Sequence, residues 1–104
     1  MERIAFKMKL IKGFEEEYRK RHDAIWPELS ALLTETGVSD YSIFLDRDNA
    51  ELFAVLKIHN SVLLKALPAQ PVMQKWWAYM SDIMETSATN EPLSFPLEEV
   101  FYLK

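Results

Sequence analysis

The apolar residues of this chain change their spacing repeatedly, and that alternation limits the fold more than any other feature. Residues 3–11 place Ile4, Phe6, Met8 and Leu10 on one side and Ala5, Lys7, Lys9 and Ile11 on the other, the period of two that marks a strand. Gly13 ends the run. Phe14, Tyr18 and His22 then recur at every fourth position, which stacks them along one face of a helix. Glu15, Glu16, Glu17, Arg19, Lys20 and Arg21 solvate the other side. Acids early and bases late suit the helix dipole, and Glu16–Lys20 and Glu17–Arg21 stand in the favourable i,i+4 order. Pro27 cannot lie deep in a helix. It reads as the first residue of a second helical piece, after a break near Ala24–Trp26, with Gly37 as its C-cap.

Two β-rich runs follow at 40–46 and 51–59, joined by the turn chemistry of Asp46-Arg47-Asp48-Asn49, so a hairpin is expected. Ser61 reads as the N-cap of a short helix over Val62–Leu67. Pro68 and Pro71 interrupt it, and Pro71 can open a helix over Val72–Met84. Residues 85–96 are polar and punctuated by prolines, a loop, and a last strand is expected over Leu97–Leu103. The order is β-α-β-β-α-β. It predicts an α+β, ferredoxin-like fold: one antiparallel sheet with helices on one face. Strands 1 and 3 carry apolar residues on both faces, Phe53 and Val55 opposing Leu52, Ala54, Leu56 and Ile58. The helix-free face therefore needs a cover, and a homodimer packed through its sheet faces is expected.

With 104 residues the chain is expected to form a single domain over 1–104. A net charge of −4 gives no field to attract phosphates, so nucleic acid is not an expected partner. No stretch is long and apolar enough for a membrane span, and the N-terminus has no signal-peptide layout. The absence of cysteine excludes disulfides and thiolate chemistry and agrees with a cytoplasmic location. Only two glycines are present, too few for a phosphate-cradling loop.

Among side chains that can move protons, His22 comes first, because its free pKa lies near neutrality. Beside Arg21 and Asp23 it reads as a solvated surface histidine, and by its register with Phe14 and Tyr18 it reads equally as an inward-facing one. Tyr18 is either a core tyrosine or a second proton-handling group. Trp76 and Trp77, about 100° apart on a helix, can border one cleft. They read either as core plus dimer contact or as the aromatic wall of a sugar site. Tyr41 opens a strand at a sheet edge where a pocket can form. His59 reads as a solvated turn residue. The two histidines lack a carboxylate cluster, so no metal site is expected.

Taken together, several runs resemble the L-rhamnose mutarotase family: Glu17-Tyr18-Arg19-Lys20-Arg21-His22 with Ile25-Trp26-Pro27-Glu28-Leu29, Tyr41–Asp46, Gln74–Asp82 and Leu97–Leu103. The resemblance spans essentially the whole chain. Asp23, where the family often has Asn, and a variable 85–96 segment are the departures. The resemblance implies a dimeric α/β barrel that interconverts the α and β anomers of L-rhamnose without metal or organic cofactor. His22 would be the proton donor, and Tyr18, Tyr41, Trp76 and Trp77 would contact the sugar. The base is left open between Tyr18 (with a lowered pKa), a water and Asp46. Two rival readings are a cofactor-free or haem-degrading monooxygenase on the same barrel, and a sugar-binding module without turnover.

Overall fold

A computed structural model describes residues 1–104. It is a small α+β fold in the order β1 (Glu2–Lys9), α1 (Glu15–Asp23), α2 (Pro27–Thr36), β2 (Val38–Asp46), β3 (Glu51–Ile58), a 3-10 helix (Ser61–Ala69), α3 (Pro71–Met80) and β4 (Ser94–Leu97). The four strands form one antiparallel sheet in the order β2-β3-β1-β4. No helix is long and apolar enough to cross a membrane.

The period-two pattern sets the sheet's two faces. Ile4, Phe6 and Met8 pair with Leu56, Ala54 and Leu52, and these inner residues meet the helices. Leu29 from α2 joins Met73, Trp76 and Met80 from α3 in the same core. On the outer face, Phe44, Phe53, Lys7 and Phe95 lie side by side across all four strands. Phe44 there is 61% exposed, and both Phe95 and Leu97 are exposed.

Several local expectations hold. The chain breaks between α1 and α2, with Pro27 at the first turn of α2. Gly37 ends α2 at φ 98°, the left-handed conformation that glycine takes without a Cβ clash. The β2–β3 hairpin turns where Asp46–Asn49 sit, closed by an Asn49–Asp46 side-chain bond of 2.9 Å.

Others differ. Phe14 precedes α1 and is 40% exposed, so it is Tyr18 that anchors α1 to the core. Glu17–Arg21 forms at 2.8 Å, but Glu16 reaches Arg47 at 3.3 Å instead of Lys20. Asn60, not Ser61, caps the 3-10 helix by accepting from the Val62 amide. The two Ser61 donors go to the Glu2 carboxylate instead.

The third α-helix stops at Met80. A turn follows, in which Ile83 and Met84 are buried and Met84 bridges to Leu10. The last strand is Ser94–Leu97, not Leu97–Leu103, and residues 98–104 have no regular structure. Pro96 signals a loop in the sequence, but it is tolerated here because β4 is an edge strand. The final residues are tied instead through Arg3, which pairs with Glu99 at 3.5 Å and lies over the Tyr102 ring.

Candidate active site

Between the inner face of the sheet and the helices lies a cavity of about 1050 Å³, the upper end of the usual range for ligand pockets. Tyr18, His22, Tyr41, Trp76 and Trp77 all line it. Four elements therefore bring the sequence-predicted residues to one place: α1, β2 and α3 carry the side chains, and β3 backs them. Met8, Met73 and Met80, all buried, add to its apolar wall.

One turn of α1 separates Tyr18 from His22, and their rings stack at 4.2 Å between centroids with 27° between planes. His22 meets Trp76 edge-on, at 5.4 Å and 87°. Its Nδ1 lies 3.1 Å from the Tyr18 carbonyl oxygen. A carbonyl only accepts, so Nδ1 carries the hydrogen and Nε2 of the neutral ring is a bare lone pair. Burial pushes the His22 pKa below its ordinary value; the Tyr18 carbonyl and the Asp23 carboxylate oppose this without reversing it. At neutral pH the ring is uncharged and can accept a proton at Nε2.

Tyr18 is 7% exposed. Burial raises its pKa, and the nearby Tyr41 phenol raises it further. The lowered pKa that a tyrosinate base would need is therefore absent, and Tyr18 is a neutral phenol at neutral pH. Tyr41 is pushed up to about 12 by burial of its phenol end, although the residue as a whole is 38% exposed at the sheet edge.

A bulge aims Tyr41. Ser39 pairs with Lys57 and Ser42 with Val55, so Asp40 and Tyr41 together oppose Leu56. Asp40 takes φ 47° and its carboxylate pairs with Lys57 at 3.3 Å, while Tyr41 lines the cavity. Strict alternation from the buried Val38 would have turned residue 41 to the outer face.

Trp76 is 6% exposed and belongs to the core as well as to the cavity wall. Trp77 is half-buried and lines the same cavity, as the helical spacing predicted. Asp46, weighed as a base, accepts from Asn49 in the hairpin turn and is not part of the cavity wall. His59 is exposed at the end of β3. No three His, Asp or Glu side chains converge to hold a metal ion.

Sequence reasoning missed three supporting residues and one segment. Trp26 packs edge-on against Trp76 at 5.1 Å and stacks on Tyr79 at 5.5 Å. Arg21 binds the end of α3. Tyr79, three positions after Trp76, could have been found from helical spacing. The contacts of Trp26 and Arg21 across helices could not. Glu91, Pro92 and Ser94 of the 85–96 segment also reach the cavity wall.

A family model described as L-rhamnose mutarotase matches residues 3–103. The L-rhamnose mutarotase of Sinorhizobium fredii is 59% identical, with 99% of each chain covered. That of Rhizobium meliloti is 57% identical over the full length of both. The crystal structure of L-rhamnose mutarotase from Formosa agariphila superposes with a TM-score of 0.93 at 48% identity, with all of both chains covered.

Proposed function

Since the chain belongs to the L-rhamnose mutarotase family, we propose that His22 moves the proton that opens and recloses the sugar ring. The protein is an isomerase that interconverts the α and β anomers of L-rhamnose. The observation that carries the mechanism is the His22 Nδ1 to Tyr18 carbonyl contact, which leaves Nε2 as the open acceptor of a ring that lines the cavity.

Neutral His22 takes the proton of the anomeric hydroxyl at Nε2. The O1 electron pair then forms the C1=O bond while the C1–O5 bond breaks. The imidazolium returns its proton to O5, giving the open-chain aldehyde. O1 and O5 are both bonded to C1, so one nitrogen can serve both in turn, and His22 is the proton donor of the second transfer. Rotation about C1–C2 presents the other carbonyl face, and the reverse steps close the ring as the other anomer.

Tyr18, a neutral phenol, donates a hydrogen bond to the oxygen that carries developing charge. Tyr41 contacts a sugar hydroxyl from the sheet edge. Trp76 and Trp77 cover the C–H faces and the C6 methyl group. Each positioned proton transfer contributes about 10²–10⁴-fold, enough for a reaction that already proceeds unaided. These steps use only groups of this chain.

The strand order and the βαββαβ succession support a ferredoxin-like fold. The exposed outer face around Phe44, Phe95 and Leu97 supports a homodimer closed through its sheets as a dimeric α/β barrel. A cytoplasmic location belongs to the same reading.

The test is saturation-transfer NMR on L-rhamnose with catalytic amounts of protein. Exchange between the two anomeric resonances should rise in proportion to protein concentration. Sugar binding with exchange left at the uncatalysed rate would favour the sugar-binding module.

A further inference from the structure

Arg21 follows the same helix turn as His22 but points to the C-terminal end of α3. Its side chain is only 11% exposed, unusual for an arginine beside solvent. Nε donates to Glu17 Oε2 at 2.8 Å. Nη1 donates to the Tyr79 carbonyl at 2.7 Å and to Asp82 Oδ1 at 2.8 Å, and Nη2 donates to Asp82 Oδ2 at 3.2 Å. The guanidinium also lies 4.5 Å over the Tyr79 ring. Tyr79 in turn packs on Trp76 at 5.6 Å, and Trp76 meets the His22 ring. The contacts close a loop: Arg21, Tyr79, Trp76 and His22 return to α1 one residue from where they began.

We infer that Arg21 is a positioning residue, a clamp between α1 and the end of α3 that sets how the His22 imidazole meets Trp76. This rests on the proton-transfer role proposed for His22. Two features, the fork and the plane, make the clamp specific to arginine. Its planar fork matches the Asp82 carboxylate with two parallel bonds, and the same group stacks on a phenol face. It satisfies one of the carbonyls left unpaired at the end of α3, and its charge suits that negative end of the helix dipole. A lysine keeps the charge but offers neither the fork nor the plane. The charge nearest the His22 ring on its own helix is Asp23; across the gap it faces the neutral indole of Trp76. The Nδ1 bond to the Tyr18 carbonyl holds the ring from its own helix, and packing against Trp76, which the clamp controls, sets the rest of its orientation.

The test compares wild type with Arg21→Lys and Arg21→Met, with Glu2→Ala as a control that breaks the Glu2–Ser61 bonds away from the cavity. L-Rhamnose anomer exchange is measured together with the His22 ring proton and nitrogen resonances. Both Arg21 variants should lose about tenfold or more in kcat with KM nearly unchanged, since small misplacements of a reacting group cost that much. The His22 ring protons, shifted by Tyr18 and Trp76, should move toward random-coil positions. Glu2→Ala should lower Tm and leave kcat and those resonances in place.

Wild-type kcat in Arg21→Lys, or a kcat loss with unmoved His22 resonances, would overturn the inference. Should the Arg21 variants not fold, Asp82→Asn weakens the same fork, and unchanged kcat and resonances there would overturn it equally. If wild type itself exchanged no anomers, the functional reading would fail, while the His22 resonances would still judge the clamp.

Discussion

His22 donates from Nδ1 to the carbonyl oxygen of Tyr18, 3.1 Å away on the preceding turn of α1. One backbone acceptor thus selects the tautomer of the ring and leaves Nε2 as its open acceptor. The donation also favours the protonated ring, but desolvation outweighs it and the His22 pKa falls below its ordinary 6.5.

The pH dependence follows. kcat/KM should be flat above about pH 7 and fall on the acid side with an apparent pKa below 6.5. Stability should change in the same direction. As the pH drops below 6.5 the unfolded chain takes up the His22 proton before the folded one does. Stability is therefore lost between 6.5 and the lower folded pKa, and this contribution is flat beneath it. A pH–rate profile and thermal melts of wild type against His22→Gln would check both. An acid limb above pH 7 would contradict the burial argument.

Tyr18→Phe keeps the ring that stacks on His22 and removes only the hydroxyl. The variant should fold as wild type and lose on the order of 10²-fold to 10³-fold in kcat, the usual cost of one hydrogen-bond donor to a developing oxyanion. Its His22 pKa should stay low, because desolvation is the leading cause of that shift. Steady-state exchange rates and an imidazole titration measure the two.

The adjacent tryptophans should separate by experiment. Trp76 touches His22, Trp26 and Tyr79 inside the core, so Trp76→Ala should cost about 3–5 kcal/mol of stability as well as activity. Trp77 is half-buried at the cavity wall. Trp77→Ala should melt close to wild type and raise KM about tenfold, as the loss of roughly 1.4 kcal/mol of contact would. Equal destabilisation by both would contradict this division of roles.

The outer sheet face should hold two copies together. Placing two carboxylates on it, in the double variant Phe44→Glu and Phe95→Glu, should give a monomer in sedimentation at micromolar concentration where wild type should sediment as a dimer. A monomeric wild type would remove the dimer from the account.

Periodicity made the helices, the hairpin and the inner face of the sheet legible, because Leu52, Ala54, Leu56 and Ile58 alternate without interruption. It also set Tyr18 and His22 one turn apart and allowed Trp76 and Trp77 to border one cleft, while leaving core packing and a dimer contact open for the two indoles. Interactions that cross between elements left no such trace. The bulge at Asp40 that turns Tyr41 inward depends on pairing with β3, and the Arg21 clamp joins residues 61 positions apart. The last strand starts earlier than its sequence suggests, because Pro92 and Pro96 signal a loop, yet an edge strand accepts Pro96. The tautomer of His22 was not legible either, since it is set by the partner of Nδ1 and not by the residue type.

The most direct test of the account is the rate of L-rhamnose anomer exchange, by saturation-transfer NMR, in a folded His22→Ala variant. Loss of most of the catalysed exchange, with circular dichroism and sugar binding retained, is the predicted result. Exchange at the wild-type rate would contradict it, because Nε2 of His22 is the group assigned to carry the proton.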